Sequence, residues 1–317
     1  MGTHTRELEG LNMTTSPLAE TVATEAPPLG LLFDVDGPIA SPVTRNIAIP
    51  SILHDIVTLT AAGIPIAFIT GRSDAFIRDE VITPLLANGL GDALAVDGAR
   101  MFAVFEKGAA WATVSAAGLG EVEVDSSVAP PPALVSEIRE LVASDFSDTM
   151  FFDETKRAMI SVEQRTDVAH ADYLAAQGPF NEAAFAAVVR HGVGVRLGDR
   201  QVPDAAGLVP FRLDPTIIST DIESVLLDKD RGAERTLEHF LTTGPLPRLW
   251  RSVGDSRSDY LMADHLHAAG FEVAHVDVRP SDGILERPYP VIVEGDLIHD
   301  EAGAAFLSYW VDKLQLR

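Results

Sequence analysis

The segment LGLLFDVD at 29–36 constrains the fold more than any other, because it is an unbroken apolar run that stops at two acids one residue apart. A strand with one wet face would alternate in polarity. A continuous run of this length, bounded by charge, marks a strand covered on both faces. IPIAFIT (64–70), ALAVD (93–97), LWRSVGD (249–255), FEVAHVD (271–277) and PVIVEG (290–295) repeat the pattern. Between them the spacing predicts helices over 49–62, 233–241, 257–269 and 302–314; the first carries Leu53, Ile56, Val57 and Leu59 on one stripe and stops at Gly63. Strands alternating with helices at this pace imply a doubly wound α/β core, a parallel sheet with helices on both faces.

The rhythm breaks between 100 and 221. MFAVFE and AWATVS (101–106 and 110–115) read as a hairpin around Lys107-Gly108. A helix near 133–144, strands near 149–153 and 157–163, an Ala-rich helix near 179–190, and strands near 193–198, 207–213 and 216–219 follow. Paired strands interleaved with helices predict an inserted α+β domain at 100–221, within a core made of 29–99 plus 222–317. Residues 1–28 are polar and rich in Thr, Ala, Glu and Pro, which predicts a disordered extension without a signal peptide. Gly2 does not complete a myristoylation signal, since Arg6 stands where Ser or Thr is wanted.

Charge narrows the partners. Lys plus Arg is 24 and Asp plus Glu is 47, so the formal net charge is 24 − 47 = −23. Such a chain is expected to avoid nucleic acid and anionic membrane surfaces, and an anionic substrate needs a local reversal of sign. The absence of cysteine excludes disulfides and thiolate chemistry. The cytoplasm is the expected compartment, and the oligomeric state is not legible.

In open parallel sheets, ligands bind at the carboxyl ends of the strands. Here those ends carry Asp34 and Asp36, Thr70-Gly71-Arg72, and Gly254-Asp255 with Asp259 one helical turn on, while Lys229 opens the helix that re-enters the core. A calcium loop starting at DVDG fails, because its fifth and twelfth positions are Pro38 and Arg45. A Gly-Asp-Ser esterase would need its Asp-x-x-His far downstream, whereas Asp264 and His267 fall on the same predicted helix as Ser256. His265 and His267, two residues apart on a helix, face different ways and are not expected to ligate metal.

Taken together, LLFDVDGPI, FITGR, Lys229 within LLDKDRGAE, and VGDSRSD resemble the four motifs of the haloacid dehalogenase-like superfamily of phosphotransferases. AVDGAR, ahead of the insertion, is similar to the Asn-Gly-Ala turn of the Cof-type branch, which includes sugar-phosphate phosphatases. The resemblance implies Asp34 as nucleophile and Asp36 as general acid and base. It implies Mg2+ held by Asp34, the Asp36 carbonyl and Asp255. Thr70, Gly71 and Lys229 would bind phosphate, Asp259 would orient Lys229 or a metal-bound water, and Arg72 is a candidate substrate contact. Arg157, Arg165, Arg196 and Arg200 of the insertion are further candidates, with solvated surface positions the ordinary expectation. Pro38 and Ser258 depart from the family pattern, which has Thr and Asn there. The expected activity is Mg2+-dependent phosphomonoester hydrolysis of a small phosphorylated metabolite, a sugar phosphate. A sugar phosphomutase and a catalytically silent binding homologue are the alternatives.

Overall fold

Strand β1 (Gly30–Phe33) is buried at every residue, as its apolar run requires. This computed structural model describes residues 25–317, so most of the expected N-terminal extension lies outside the described residues. After β1 come helix α1 (Pro50–Ala61) and β2 (Ile66–Ile69), then β3 (Met101–Phe105), β4 (Ala110–Ser115), β5 (Gly118–Leu119) and β6 (Glu123–Val124). The middle of the chain holds α2 (Pro132–Leu141), β7 (Met150–Phe152), β8 (Ile160–Gln164), α3 (His170–Arg190), β9 (Val195–Leu197), β10 (Arg200–Val202), β11 (Phe211–Pro215) and β12 (Ser219–Ser224). The last part holds α4 (Lys229–Thr243), β13 (Leu249–Gly254), α5 (Tyr260–Ala268), β14 (Glu272–Asp277), β15 (Val291–Ile292) and α6 (His299–Lys313).

The larger sheet runs β15-β14-β13-β1-β2-β3-β4-β5, with β6 on β4, and is parallel from β15 through β3. Chain order leaves β1 in both directions, so the switch point of the sheet falls between β1 and β13. One face is covered by α1 and α6 through Phe33, Ile56, Phe68 and Phe306. Phe102, Phe240, Trp250 and Met262 bring α4 and α5 onto the other. The doubly wound core is as the sequence implies.

Its third strand is not. The run 93–97, expected to be that strand, lies in the short helix Leu90–Leu94 and a turn, and Val96 is exposed. Two alanines in a short apolar run serve a helix as readily as a strand, and periodicity does not separate them. The third parallel strand is β3, and the hairpin β3–β4, expected to open the insertion, is hydrogen-bonded into the larger sheet. The second sheet therefore occupies 150–224, its segment leaves the core after Val124, and it returns after Ser224 rather than at 221.

That smaller sheet, β10-β9-β11-β12-β8-β7, is antiparallel except where β11 meets β9. Successive side chains of a strand point to opposite faces. Ile160, Val162, Phe211, Leu213 and Ile222 pack under α2 and α3. The alternate residues Ser161, Glu163, Arg212, Asp214, Asp221 and Glu223 therefore line the other face, turned toward the carboxyl ends of the larger sheet.

Candidate active site

Four chain segments meet at the switch point. Asp34 ends β1; its backbone N–H donates to the Val253 carbonyl of β13, and its side chain is almost fully buried. Beyond it the chain turns at Gly37, whose φ of +98° belongs to the left-handed region. A Cβ there would stand 2.8 Å from the Asp255 carboxyl carbon, so only glycine lets this loop lie against Asp255. The Gly37 N–H closes the turn on the Ala40 carbonyl. The loop does not need the N–H that Pro38 lacks.

Lys229 is the first residue of α4, and the Asp228 side chain accepts its backbone N–H. Gly232, one turn on, brings the helix onto β2: a Cβ there would be 2.2 Å from Ile69 Cγ2. This close approach carries the Lys229 ammonium to the Ile69 carbonyl (2.8 Å), Asp34 Oδ1 (2.5 Å) and Asp259 Oδ1 (2.8 Å). Asp259 also accepts the N–H groups of Asp255 (3.0 Å) and Ser256 (2.8 Å) and the Ser256 hydroxyl (2.7 Å). The serine of the Gly-Asp-Ser block thus caps a helical turn.

Asp34, Asp255 and Asp259 offer carboxylate oxygens that all lie within 4.8 Å of one another. Lys229 pairs with Asp34 and Asp259, and the Arg279 guanidinium lies 4.0 Å from Asp255, so the formal charge of the group is −3 + 2 = −1. Burial, with Asp259, Asp36 and Asp255 adding to it against Lys229, pushes the Asp34 carboxyl well above its ordinary range. Burial and Asp259 push Asp255 up to about 6. Burial works against the Asp259 charge too, but Lys229 and Ser256 outweigh it and hold that carboxyl below its usual range. Lys229 is raised: burial disfavours its charge, and Asp259 and Asp34 more than compensate. Three hard oxygen donors converging on one point with a net negative charge fit a small divalent cation such as Mg2+.

The remaining expected residues are brought to the same place. Asp34, Asp36, Thr70, Gly71, Arg72 and Lys229 line one cavity of about 200 Å³. Thr70 is buried, and its Oγ1 accepts the Arg72 N–H (3.0 Å). Arg72 does not point at an open subsite; its guanidinium makes two 3.0 Å hydrogen bonds to the Asp36 carboxylate. The opposite wall comes from the smaller sheet and its β7–β8 loop: Lys156, Ser161, Glu163 and Asp221. Of the candidate arginines, Arg157 pairs with Asp74 of the core, Arg165 and Arg200 pair with surface acids, and Arg196 is exposed. Sequence reading missed the wall residues. Their signal is the alternation in I-S-V-E and T-D-I-E, which looks like any half-wet sheet until a second body covers the polar face.

Among solved structures, the C-terminal domain of trehalose-6-phosphate phosphatase from C. albicans is similar in fold, with a TM-score of 0.58 and 12% identity, over 90% of this chain and 92% of that one. A haloacid dehalogenase-like hydrolase from Bacteroides thetaiotaomicron matches with a TM-score of 0.52 and 13% identity, over 89% and 98%. N-terminally truncated IMP-nucleotidase from Plasmodium falciparum matches at 0.50 and 12%, over 88% and 69%. The chain has the haloacid dehalogenase-like hydrolase fold, a Rossmann-like core with a second α+β layer above the strand ends. No protein-family model matches the sequence, and no curated protein does.

Proposed function

We propose that this protein hydrolyses phosphomonoesters with Mg2+ as cofactor and Asp34 as nucleophile, and that its substrate is a small polyhydroxylated phosphate of the sugar-phosphate class. The observation that carries the reading is Asp34 itself. It ends the central strand beside Lys229, within a carboxylate cluster of the right span and charge for a divalent cation. An Asp34 oxygen attacks phosphorus, the bond to the leaving oxygen breaks, and that oxygen takes a proton from Asp36. Asp36 then takes a proton from water, whose oxygen attacks the acyl phosphate and restores the Asp34 carboxylate. Mg2+ held by Asp34, Asp255 and the Asp36 carbonyl, with Asp259 close by, would screen the nucleophile from a dianionic substrate. The Thr70 hydroxyl, the Gly71 N–H and Lys229 bind the phosphoryl oxygens, where transition-state charge is spread. Arg72 must yield Asp36 when the leaving oxygen arrives.

The substrate class rests on the far wall. Lys156, Ser161, Glu163 and Asp221 present donors and acceptors, and among the described residues no aromatic ring lines the cavity. Such a surface suits hydroxyl groups better than a base or an aryl ring. We read this upper layer as a cap of the kind expected for the Cof-type branch. The test is a panel of phosphorylated metabolites with purified protein and Mg2+. Sugar phosphates are expected to lead it, and Asp34→Asn to lose several orders of magnitude in rate while still folding. A folded Asp34→Asn protein that keeps a tenth of the rate overturns the nucleophile. Nucleotides or aryl phosphates far ahead of every sugar phosphate overturn the substrate class.

A further inference from the structure

The turn between β3 and β4 is built unlike its neighbours. Glu106 and Lys107 both have left-handed backbones, with φ of +50° and +56°, a conformation that non-glycine residues adopt only when surroundings enforce it. Their two backbone N–H groups point one way. Glu106 donates to the Arg72 carbonyl (3.1 Å) and Lys107 to the Thr70 carbonyl (3.0 Å), the two ends of the phosphate-binding segment.

Their two side chains reach the other body. The fully buried Glu106 carboxylate accepts the Arg157 N–H on one oxygen and the Ala158 N–H on the other, both at 2.8 Å, from the loop between β7 and β8. The Lys107 ammonium lies 2.8 Å from Glu223, 3.3 Å from Asp214 and 3.4 Å from Asp221, on β11 and β12. The same loop reaches back: Lys156 donates to the Gly71 carbonyl (2.7 Å), and Arg157 grips both oxygens of Asp74.

We propose that Glu106 and Lys107 are positioning residues that couple seating of the smaller domain to the geometry of Thr70–Arg72. This rests on the reading of that segment as the phosphate-binding loop. When the smaller domain lifts, Glu106 loses both donors and Lys107 loses all three carboxylates. Only the two N–H bonds to Arg72 and Thr70 then oppose relaxation of two successive left-handed residues, and as the turn relaxes those N–H groups and the carbonyls they fix shift together. Seating the cap therefore does more than close over substrate. It sets the loop, and it does so even for a substrate too small to touch the cap.

Two measurements test this. In Lys107→Met, kcat/KM for p-nitrophenyl phosphate is expected to fall about tenfold or more, with inhibition by orthovanadate weakened in parallel, and Lys107→Arg should restore most of both. Loss of fold alone would lower kcat in proportion to the active fraction and leave the vanadate constant unchanged. Hydrogen exchange of the peptide covering 70–76 should quicken in Lys107→Met and not in Lys107→Arg, a readout that needs no turnover. Asp214→Asn, at a half-exposed partner, should shift both measurements in the same direction by less, which covers failure of Lys107→Met to fold. Wild-type vanadate inhibition and unchanged exchange at 70–76 in folded Lys107→Met or Asp214→Asn overturn the coupling. A failed Asp34→Asn test with quickened exchange at 70–76 would overturn the phosphatase reading and leave the coupling standing.

Discussion

Two lysines in this protein each belong to a cluster with three carboxylates, and the clusters are built differently. Lys229 pairs with Asp34 and Asp259, and Asp255 completes the set, all carried by the large sheet and the elements leaving it. Lys107 faces Asp214, Asp221 and Glu223, which belong to the other body, and Arg212 also pairs with Glu223 at 2.8 Å. With Lys229 and Arg279 against three acids, the first cluster keeps one negative charge unmatched, and its carboxylate oxygens converge within 4.8 Å of one another. The second, with two cations for three acids, also keeps one, and Asp214 is partly solvated. A cluster held within one framework, its oxygens converging on one point, fits a cation. One whose lysine and acids lie on two frameworks is placed to act as a joint. Composition alone does not distinguish them.

The comparison can be broken most sharply by swapping the lesion. Lys229→Met should lower phosphatase turnover by about a thousandfold or more, and should destabilise the fold by roughly 3–5 kcal/mol because it strands buried carboxylates. Lys107→Met should cost about a hundredfold less activity than that; equal losses in steady-state assays would erase the distinction. Metal gives the next test. Turnover should vanish with a chelator and return with Mg2+. Saturating Mg2+ should stabilise wild type and Lys107→Met by about 2–3 kcal/mol in thermal melts and leave Asp255→Asn unmoved. An equal shift in Asp255→Asn would remove the cation from the first cluster.

A finer test uses protons. Burial pushes one carboxyl in each cluster, Asp255 and Glu223, up to about 6. Carbon-detected titration of the side-chain carboxyls should find both there without metal. A bound cation favours the ionised form, so Mg2+ should lower Asp255 by about one unit or more and Glu223 by no more than a few tenths. By the same sign, with Asp34 raised as well, Mg2+ affinity should weaken at least about tenfold per pH unit as pH falls below the metal-free Asp255 value. The smallest effect is expected at Pro38. Its N–H is not needed by the turn that Gly37 closes, so Pro38→Thr should change kcat by less than about tenfold. A hundredfold rise would mean that the natural loop is impaired.

Much of the first cluster was legible in the sequence, because a buried parallel strand writes its own end: LLF stops at Asp34, and RSVG stops at Asp255. The order of those ends along the chain also predicts their convergence. The second cluster was not legible. Glu223 and Asp221 alternate with Ile222 and Thr220, the pattern of a strand with one face in water. What makes them a joint is the packing of Lys107 against them, a tertiary fact without local signature. The run 93–97 bears on the same point. A strand there would complete the parallel set and leave the hairpin carrying Lys107 to the insertion; a helix there gives β3 to the large sheet.

The ammonium of Lys229 donates to Asp34 and to the Ile69 carbonyl and is ion-paired with Asp259 at 2.8 Å. On the proposed mechanism its role toward an arriving phosphoryl group would be one of exchange. Attack would convert the Asp34 carboxylate into a neutral ester-like oxygen, its hold on the ammonium would weaken, and the released N–H would turn to a phosphoryl oxygen. Hydrolysis would run the exchange backward, so that the lysine's allegiance follows the negative charge. In a complex with beryllium fluoride standing for the phosphoryl group on Asp34, Nζ should lie within hydrogen-bond distance of a fluorine and beyond it from the Asp34 oxygen it now holds.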